Sequence, residues 1–270
     1  MSESQRIRFV VAYEGGGYAG WQRQSNALTV QEVIEQAFAE MTGHEARLMG
    51  AGRTDAGVHG MAQVFSIDNP SRHGPEALMR GMNAILPNDV VLREAVLTAP
   101  DFDPRREAQG KHYRYTIHSG EVAPLFHRRL RWHLRMPLDL KLMETEAQVL
   151  VGEHDFSAFR GADCGAKSPV RRIDLLRIQA QGACFHVHVL GQSFLKHMVR
   201  NIVGSLVEVG RGFQQAGWLA EVLASRDRNQ AGPTAPAKGL CLMRVFYDEA
   251  AYALACAQSE QVGNEVFIEI

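Results

Sequence analysis

A glycine-rich stretch early in the chain restricts what the polypeptide can form there. Residues 50–60 contain four glycines and two alanines around one carboxylate, Asp55. Because strands and helices tolerate glycine poorly, we expect a tight loop whose backbone lies close to another group. Two interpretations of Asp55 follow from the local sequence. It either makes an Asx-type hydrogen bond to its own backbone, or it is a reactive carboxylate whose small neighbours leave room for a bulky substrate.

Periodic apolar residues around this loop predict alternating strands and helices. Arg6–Tyr13 alternates like a half-buried strand. Thr29 and Glu32 form a capping box at the start of a helix, which Gly43 ends. The predicted elements after the loop are a strand at 63–68, a helix whose first residue is Pro75 and a strand at 90–97.

The second half of the chain repeats this alternation. Its predicted elements are strands at 112–118, 171–179, 184–190 and 240–247, helices at 139–151, 195–210 and 218–223, a polar segment at 152–169 and a hairpin turn at Gln181-Gly182. Strands interleaved with helices indicate an α+β fold in which helices cover a mainly antiparallel sheet. We therefore expect two similar α/β halves, 1–104 and 105–248, around a central sheet, with a basic cleft between them and an acidic tail at 249–270.

Charge is unevenly distributed along the chain. The net charge of −1 alone argues against a nucleic-acid binder, and residues 248–270 carry five acidic side chains without a Lys or Arg. Between 105 and 135, however, eight basic residues face two acidic ones. The eight are Arg105, Arg106, Lys111, Arg114, Arg128, Arg129, Arg131 and Arg135. This segment is interpreted either as a face for a polyanion or as an ordinary solvated surface.

Several classes of protein find no support in the sequence. The N-terminus has no apolar run typical of a secretory signal, and no apolar stretch is long enough to span a membrane. The four cysteines, Cys164, Cys184, Cys241 and Cys256, are far apart and lack Cys-x-x-Cys spacing. They predict reduced thiols in a cytoplasmic protein and no zinc site. The three glycines after the first strand are not followed by the residues of a phosphate loop.

The chemistry open to Asp55 is correspondingly narrow. No nucleophile-elbow serine, paired acid or metal-ligand cluster can be identified from spacing. A covalent nucleophile or a general base remains, and either role needs an ionised carboxylate. An arginine within reach favours that ionised form.

The segment Gly52-Arg53-Thr54-Asp55-Ala56-Gly57-Val58-His59 resembles the catalytic motif of the TruA family of tRNA pseudouridine synthases. Seven other blocks resemble that family in the same order. They are 20–24, 30–32, 83–87, 113–115, 154–160, 194–204 and 238–240. The resemblance runs from about Ile7 to Tyr247, and the remaining tail matches no block.

This resemblance implies both a fold and an activity. Members of the family isomerise uridine to pseudouridine in the anticodon stem-loop of tRNA, typically at positions 38–40, without a cofactor, metal or ATP. They share the pseudouridine synthase fold and are usually homodimers in which each tRNA touches both subunits. The alternative is a non-catalytic tRNA-binding protein on the same scaffold.

The resemblance also implies roles for individual residues. Asp55 would be the nucleophile, and Tyr113 would stack on the target base and help remove its C5 proton. Arg200 would pair with Asp55, since it falls about 130° from the middle of the apolar stripe of its helix. Leu240 would pack on the other face of the base. Spacing alone favours a core residue for Tyr113 and a surface arginine for Arg200, and it leaves Leu240 open as an ordinary strand residue.

Contacts with the rest of the RNA are expected from two further residues and from the basic segment. Arg53 and His59 would approach the RNA backbone or replace the flipped base in the stack. The basic residues between 105 and 135 are candidates for phosphate contacts.

Overall fold

The computed structural model describes residues 5–257 as a mixture of strands and helices. The strands are β1 (Gln5–Tyr13), β2 (Met49–Gly50), β3 (His59–Asn69), β4 (Val90–Leu97), β5 (Gly110–Ser119), β6 (Trp132–Leu134), β7 (Gly152–Asp155), β8 (Val170–Gln181), β9 (Cys184–Gly191) and β10 (Leu240–Phe246). The helices are α1 (Val30–Thr42), α2 (Pro75–Ile85), α3 (Leu140–Ala147), α4 (Met198–Gly210), α5 (Trp218–Ser225) and α6 (Glu249–Ala257).

The strands of the described chain form one sheet in the order β4-β1-β3-β10-β5-β9-β8-β7, with β2 added to β3 and β6 added to β5. The β3–β10 and β5–β6 pairs are parallel, and the other pairs are antiparallel. This confirms the predicted mainly antiparallel sheet. The last strand, β10, lies between β3 and β5 and joins the strands of the first half to those of the second.

The first half packs its helices on the apolar side of β1. Ile7, Phe9 and Val11 alternate with less buried residues, as the strand pattern predicts. They share a core with Phe38 of α1. Phe9 also stacks on Phe65 of β3, with ring centroids 5.0 Å apart. Burial of one large aromatic or aliphatic side chain stabilises a fold by roughly 1.5–3 kcal/mol, so this layer fixes the sheet that carries the glycine-rich loop.

The second half has its own core around α4. Ile202 and Leu206 of this helix are fully buried with Tyr115 and Ile117 of β5. Val58, from the glycine-rich loop of the first half, belongs to the same cluster. The loop is therefore packed against the second half as well as anchored in the first.

Most element boundaries agree with the sequence analysis. Thr29 caps α1 by accepting a hydrogen bond from the Glu32 amide at 3.3 Å, and Gly43 adopts φ 73° at its end. The helix predicted at 139–151 is an α-helix only to Ala147 and continues as a 3-10 turn, Gln148–Leu150. The helix predicted from 195 begins at Met198, because the preceding residue, His197, has φ 63° and cannot continue it.

Two parts of the second half differ from the sequence analysis. The predicted polar segment 152–169 contains β7, which pairs with β8. Its sequence Gly-Glu-His-Asp has no β-branched or alternating apolar residue, so periodicity gives no signal for this strand. The hairpin turn lies at residues 182–183 rather than at Gln181-Gly182, with Gly182 at φ 58°.

The first part of the predicted acidic tail is helix α6. The Tyr252 hydroxyl donates a hydrogen bond to Asp174 Oδ2 of β8 at 2.6 Å, which fastens this helix to the sheet. Residues 258–270 of that tail lie outside the described part of the chain, and the boundaries of the two halves stay predictions. Within 5–257, none of the helices is long and apolar enough to cross a bilayer.

Candidate active site

Asp55 lies on the loop between β2 and β3, and backbone contacts hold this loop in place. The Trp21 amide donates to the Thr54 carbonyl at 3.1 Å, and the Gly57 amide donates to the Tyr18 carbonyl at 3.2 Å. The hydroxyls of Tyr13 and Thr54 are 2.9 Å apart. The segment before α1 that contains Tyr18 and Trp21 therefore packs against the loop and fixes the backbone that carries Asp55.

One glycine in that segment is required by the approach of the loop. Gly20 has φ +100°, and a Cβ placed there would lie 2.6 Å from the Thr54 carbonyl oxygen. A side chain at this position would meet both backbone strain and a clash with the peptide next to Asp55.

The Asp55 carboxylate meets α4 of the second half. Its Oδ2 is 3.5 Å from Arg200 Nη1 and 3.7 Å from His197 Nε2. The Asp55 side chain keeps 21% of its surface exposed, against 15% for Arg200. These separations are long for hydrogen bonds, and catalytic contacts often tighten only when substrate binds. The carboxylate is thus held by a cation while one side stays open.

Arg200 is fixed by the loop before β10. Its Nε donates to the Ala235 carbonyl at 2.8 Å, and the Ala235 amide donates to the Arg200 carbonyl at 3.1 Å. With one face of the guanidinium so bound, the other is aimed at Asp55. The predicted position of Arg200 at the edge of the apolar stripe therefore gives it both partners.

Tyr113 lies on β5 with only 7% of its surface exposed. Its ring meets Phe194 edge-on, with centroids 5.1 Å apart. Burial and the nearby Asp55 charge raise the pKa of Tyr113 above its usual range. Within the described chain its hydroxyl makes no hydrogen bond to a protein group, whereas the Tyr115 hydroxyl donates to the Pro236 carbonyl at 2.7 Å.

Leu240 is the first residue of β10 and lies opposite Tyr115 in the β5–β10 ladder. Residues directly opposite each other in an antiparallel pair share a face of the sheet, and alternation puts Tyr113 on that face too. Leu240 is 5% exposed. The structure therefore brings Asp55, Arg200, Tyr113 and Leu240 to one region of the molecule.

Arg53 and His59 are oriented differently from these four. Arg53 is exposed, and its Nε donates to Gln22 Oε1 at 3.1 Å. Neither Asp55 nor another carboxylate of the described chain forms an ion pair with Arg53. It is thus Arg200, rather than the neighbour in sequence, that pairs with Asp55.

His59 is buried at the start of β3 and links three segments. Its Nδ1 accepts from the Gly15 amide at 3.0 Å, and its Nε2 lies 3.1 Å from the Arg129 carbonyl and 3.2 Å from the Lys238 carbonyl. Burial lowers its pKa, which favours the neutral ring. In this arrangement both ring nitrogens are used within the protein, and contact of His59 with RNA stays a prediction.

Of the eight basic residues between 105 and 135, five are exposed and three, Lys111, Arg114 and Arg131, are partly buried. Those that are exposed are Arg105, Arg106, Arg128, Arg129 and Arg135. Arg114 alternates with Tyr113 and so lies on the opposite face of the sheet, where burial lowers its pKa. Lys111 packs against the backbone of the catalytic loop, since a Cβ at Gly52 would lie 3.1 Å from its Nζ. Burial and the charge of Arg105 lower the pKa of Lys111 to about 8.

His197 is a site residue that the sequence analysis did not single out. Its backbone has φ 63°, a conformation that is costly for a residue with a side chain and that clusters at active sites. This conformation points the ring at Asp55. Burial lowers the pKa of His197 although Asp55 opposes the shift. No periodicity marks such a residue, and only its place in the 194–204 block could have drawn attention to it.

Neither a metal-binding cluster nor a disulfide occurs among the described residues. Within 5–257 no group of three or more His, Cys, Asp or Glu side chains is placed to hold a metal ion. The four cysteines, all within this range, form no disulfide.

The fold is α+β, and the candidate site brings the Asp55 carboxylate of the first half next to the Arg200 cation of the second. A family model described as "tRNA pseudouridine synthase" matches residues 9–105 and 147–248. The chain belongs to the tRNA pseudouridine synthase family.

Relatives cover nearly the same length. The tRNA pseudouridine synthase A of Myxococcus xanthus is 46% identical over 243 residues, which cover 90% of this chain and 92% of that protein. The tRNA pseudouridine synthase A of Pelobacter propionicus is 44% identical over 241 residues, covering 89% of this chain and 99% of that protein. Among solved structures, a chain in the crystal structure of a Cbf5-Nop10-Gar1 complex is similar with a TM-score of 0.35 and 13% identity, over 88% of this chain and 49% of that chain.

Proposed function

We propose that this chain isomerises uridine to pseudouridine in tRNA, with Asp55 as the nucleophile. Family membership and the names of the relatives support the reaction. The observation that carries the role of Asp55 is its position: a partly exposed carboxylate, 3.5 Å from Arg200, next to a buried tyrosine. No other motif in the chain offers a nucleophile in such a setting.

The reaction conserves every atom of the uridine. The bond between N1 of the base and C1′ of the ribose breaks, and a bond between C5 and C1′ replaces it. The proton leaves C5, and N1 gains one. An Asp55 oxygen forms a transient bond to the sugar or to the base ring and is released unchanged. The detached uracil must turn inside a closed pocket. The low exposure of Tyr113 and Leu240 supports their role as its two sides.

Arg200 pairs with Asp55 at 3.5 Å and holds it in place for this attack. Its guanidinium is permanently protonated, and the bond to the Ala235 carbonyl limits its movement. His197, with its lowered pKa, contributes a neutral ring beside the same oxygen. The nucleophile is therefore paired with one fixed cation.

Tyr113 stacks on the base and presents its hydroxyl as a donor. Because burial and Asp55 raise its pKa, the phenol stays protonated near neutral pH. A protonated phenol cannot accept the C5 proton directly, so stacking and positioning are favoured over the role of a base.

The tRNA region is proposed from the family resemblance: uridines at positions 38–40 of the anticodon stem-loop. A homodimer in which the tRNA contacts both subunits, a cytoplasmic location and a reaction without a cofactor have the same basis. The exposed arginines of the 105–135 segment support binding of the RNA backbone, since phosphate contacts supply most of the sequence-independent affinity.

The test uses an unmodified tRNA transcript with uridine at positions 38, 39 and 40. The protein is incubated with it in EDTA without ATP, and pseudouridine is mapped by carbodiimide labelling and primer extension. We expect stops at one or more of these positions. Asp55→Asn should reduce the rate by at least about 10⁴-fold, while tRNA binding measured by filter retention survives.

Asp101→Asn is the matched control, because it removes an equal charge from an exposed connector outside the site. It should leave the rate unchanged. Near wild-type pseudouridine formation by Asp55→Asn would remove Asp55 from the mechanism. Tight binding without any stops would instead favour the non-catalytic tRNA-binding alternative.

A further inference from the structure

A cavity of about 430 Å³ adjoins the site at the N-terminal end of α4, where His197 and Asn201 lie. Residues 161–162, 228–229 and 231–234 line it, together with His197 and Asn201. His197 is shared between the two spaces, because its Nε2 is also 3.7 Å from Asp55 Oδ2. A group bound in this cavity would therefore be separated from the reacting carboxylate by one imidazole ring.

The cavity contains a cation with neutral partners only. Arg228 Nη2 donates to Asn201 Oδ1 at 3.2 Å and to Thr234 Oγ1 at 3.1 Å, and its Nη1 donates to the Ala231 carbonyl at 3.3 Å. No carboxylate of residues 5–257 lies within 4.0 Å of it. The neighbouring Asp227 accepts instead from the amide and the side chain of Asn229. Burial lowers the pKa of Arg228.

Arg228 retains hydrogen-bonding capacity. A guanidinium has five N–H donors, and the three bonds above leave two without a partner in the described chain. The two spare donors are Nε–H and one N–H of Nη1, which lie on different edges of the guanidinium. Each can donate one charge-assisted hydrogen bond, and an anionic oxygen such as that of a phosphate is the matching acceptor.

The walls of the cavity are rigid, so this cation is held at a fixed position. Asn201 is fully buried and accepts from both Arg228 and Thr234, while its own amide donates to the Phe159 carbonyl at 2.8 Å. The Gly232 amide donates to Ser205 Oγ at 2.9 Å. The loop 228–234 is thus fastened directly to α4, which also carries Arg200.

We infer that this cavity is a phosphate subsite, in which Arg228 binds a phosphodiester of the tRNA directly 5′ or 3′ of the target uridine. The inference rests on the proposed function, because it is Asp55 that places the target ribose beside His197. Arg200 and Arg228 then have separate partners, the nucleophile and the substrate backbone. Anchoring the backbone there would hold the flipped nucleotide while its base is detached.

The test combines a change in the protein with a change in the RNA. tRNA is assembled by ligation with one uncharged methylphosphonate linkage, either 5′ or 3′ of the target uridine. Its Kd is measured for the wild type and for Arg228→Gln. At one of the two linkages, we expect the neutral group to weaken binding to the wild type about tenfold and to have no effect on Arg228→Gln. On ordinary tRNA, Arg228→Gln should itself bind about tenfold more weakly.

Salt dependence gives a second readout that a structural role would not change. The slope of log Kd against log salt should fall by about one unit in Arg228→Gln and recover in Arg228→Lys, which keeps the charge. Arg80→Gln is the control, since Arg80 pairs with Glu76 on the surface of α2. Thermal unfolding of each variant is followed in parallel. If Arg228→Gln does not fold, the Kd values for the two modified linkages are measured with Arg228→Lys instead.

Other outcomes would overturn the inference. Equal penalties from the neutral linkages in wild type and Arg228→Gln would show that Arg228 only fastens the loop. If inorganic phosphate alone raised the unfolding temperature of wild type but not of Arg228→Gln, without any linkage effect, the cavity would be a free-anion site. Because binding is measured apart from turnover, tRNA that is bound but never isomerised would refute the proposed function without affecting this test.

Discussion

At the scale of single residues, Asp55 has two neighbours with different charge. Arg200 is cationic at every accessible pH, whereas burial lowers the pKa of His197. Tyr113 completes the group as a protonated phenol. The site therefore combines a carboxyl group, one permanent cation and two neutral rings, a set that fits the proposed role of Asp55 as the nucleophile.

The neutral state of Tyr113 leads to a prediction about the separate roles of its aromatic ring and its hydroxyl. Tyr113→Phe keeps the ring and should bind tRNA with a KM within about threefold of wild type, while kcat falls about 10²-fold through loss of the hydroxyl. Tyr113→Leu also removes base stacking, which is worth about 1–3 kcal/mol, so its KM should rise as well. Steady-state kinetics on the same transcript separate the two effects.

The pH profile distinguishes positioning from base catalysis. Between pH 6 and 9, the pH–rate profile of the wild type should contain no rising limb that is missing from the profile of Tyr113→Phe. A limb of that kind would mean that the phenolate is the reactive form, contrary to its raised pKa.

Part of this site can be predicted from the sequence. Glycines around Asp55 indicate a loop with a carboxylate, and the edge position of Arg200 on its helix allows a partner on that side. The resemblance adds Tyr113 and Leu240. The orientation of His197 depends on one left-handed backbone conformation, and the burial of His59 depends on three segments that are distant in sequence. Neither follows from a local pattern.

At the scale of elements, the catalytic loop depends on the segment that precedes α1. Gly20 allows this segment to approach the Thr54–Asp55 peptide, and the Trp21 amide bonds to the Thr54 carbonyl. A side chain at Gly20 should consequently displace the loop that carries Asp55 more than it disturbs the packing around Gly20 itself.

Gly20→Ala should lower kcat/KM at least about tenfold and destabilise the protein by about 1–3 kcal/mol. Gly43→Ala is a matched control: its φ is also positive, at +73°, but a Cβ there meets no atom within 4 Å. It should lose stability from backbone strain alone and keep its turnover per folded molecule. Equal kinetics for the two variants would show that the contact at Gly20 does not position Asp55.

Periodicity identifies the elements with a clear apolar face and misses those without one. β1, α1, α2 and β4 follow their patterns almost to the residue. β7 is too short and polar to be recognised, and β2 and β6 have only two and three residues. The position of β10 between β3 and β5 is set by long-range pairing, which local sequence does not encode.

At the scale of the whole molecule, buried histidines make the stability of the fold depend on pH. Burial and Arg114 lower the pKa of His112 to about 3, and burial with Arg114 and Arg131 lowers that of His186 to about 4. His188, hydrogen-bonded to His112 at 2.9 Å, is shifted in the same direction. Below pH 6.5 the unfolded chain binds protons that the folded chain does not.

The free energy of unfolding should therefore be highest above pH 6.5. It should fall as the pH drops toward the lowered pKa values of these histidines. Each histidine contributes a slope of up to about 1.4 kcal/mol per pH unit in that window. Urea unfolding between pH 6.5 and 5 measures it. His186→Gln should show a smaller slope than wild type by up to that amount, and identical slopes would mean that His186 is protonated in the folded protein.

The place of β10 also determines when the sheet can close during synthesis of the chain. Asp55 is supplied by an early segment, but the strand between the two halves consists of residues 240–246. A nascent chain on the ribosome can fold β1, α1, β3 and β4 locally, yet it cannot close the sheet until nearly the whole chain has emerged. Closure of the sheet is therefore a late step, and an incomplete chain released early carries Asp55 without the strand that joins the two halves.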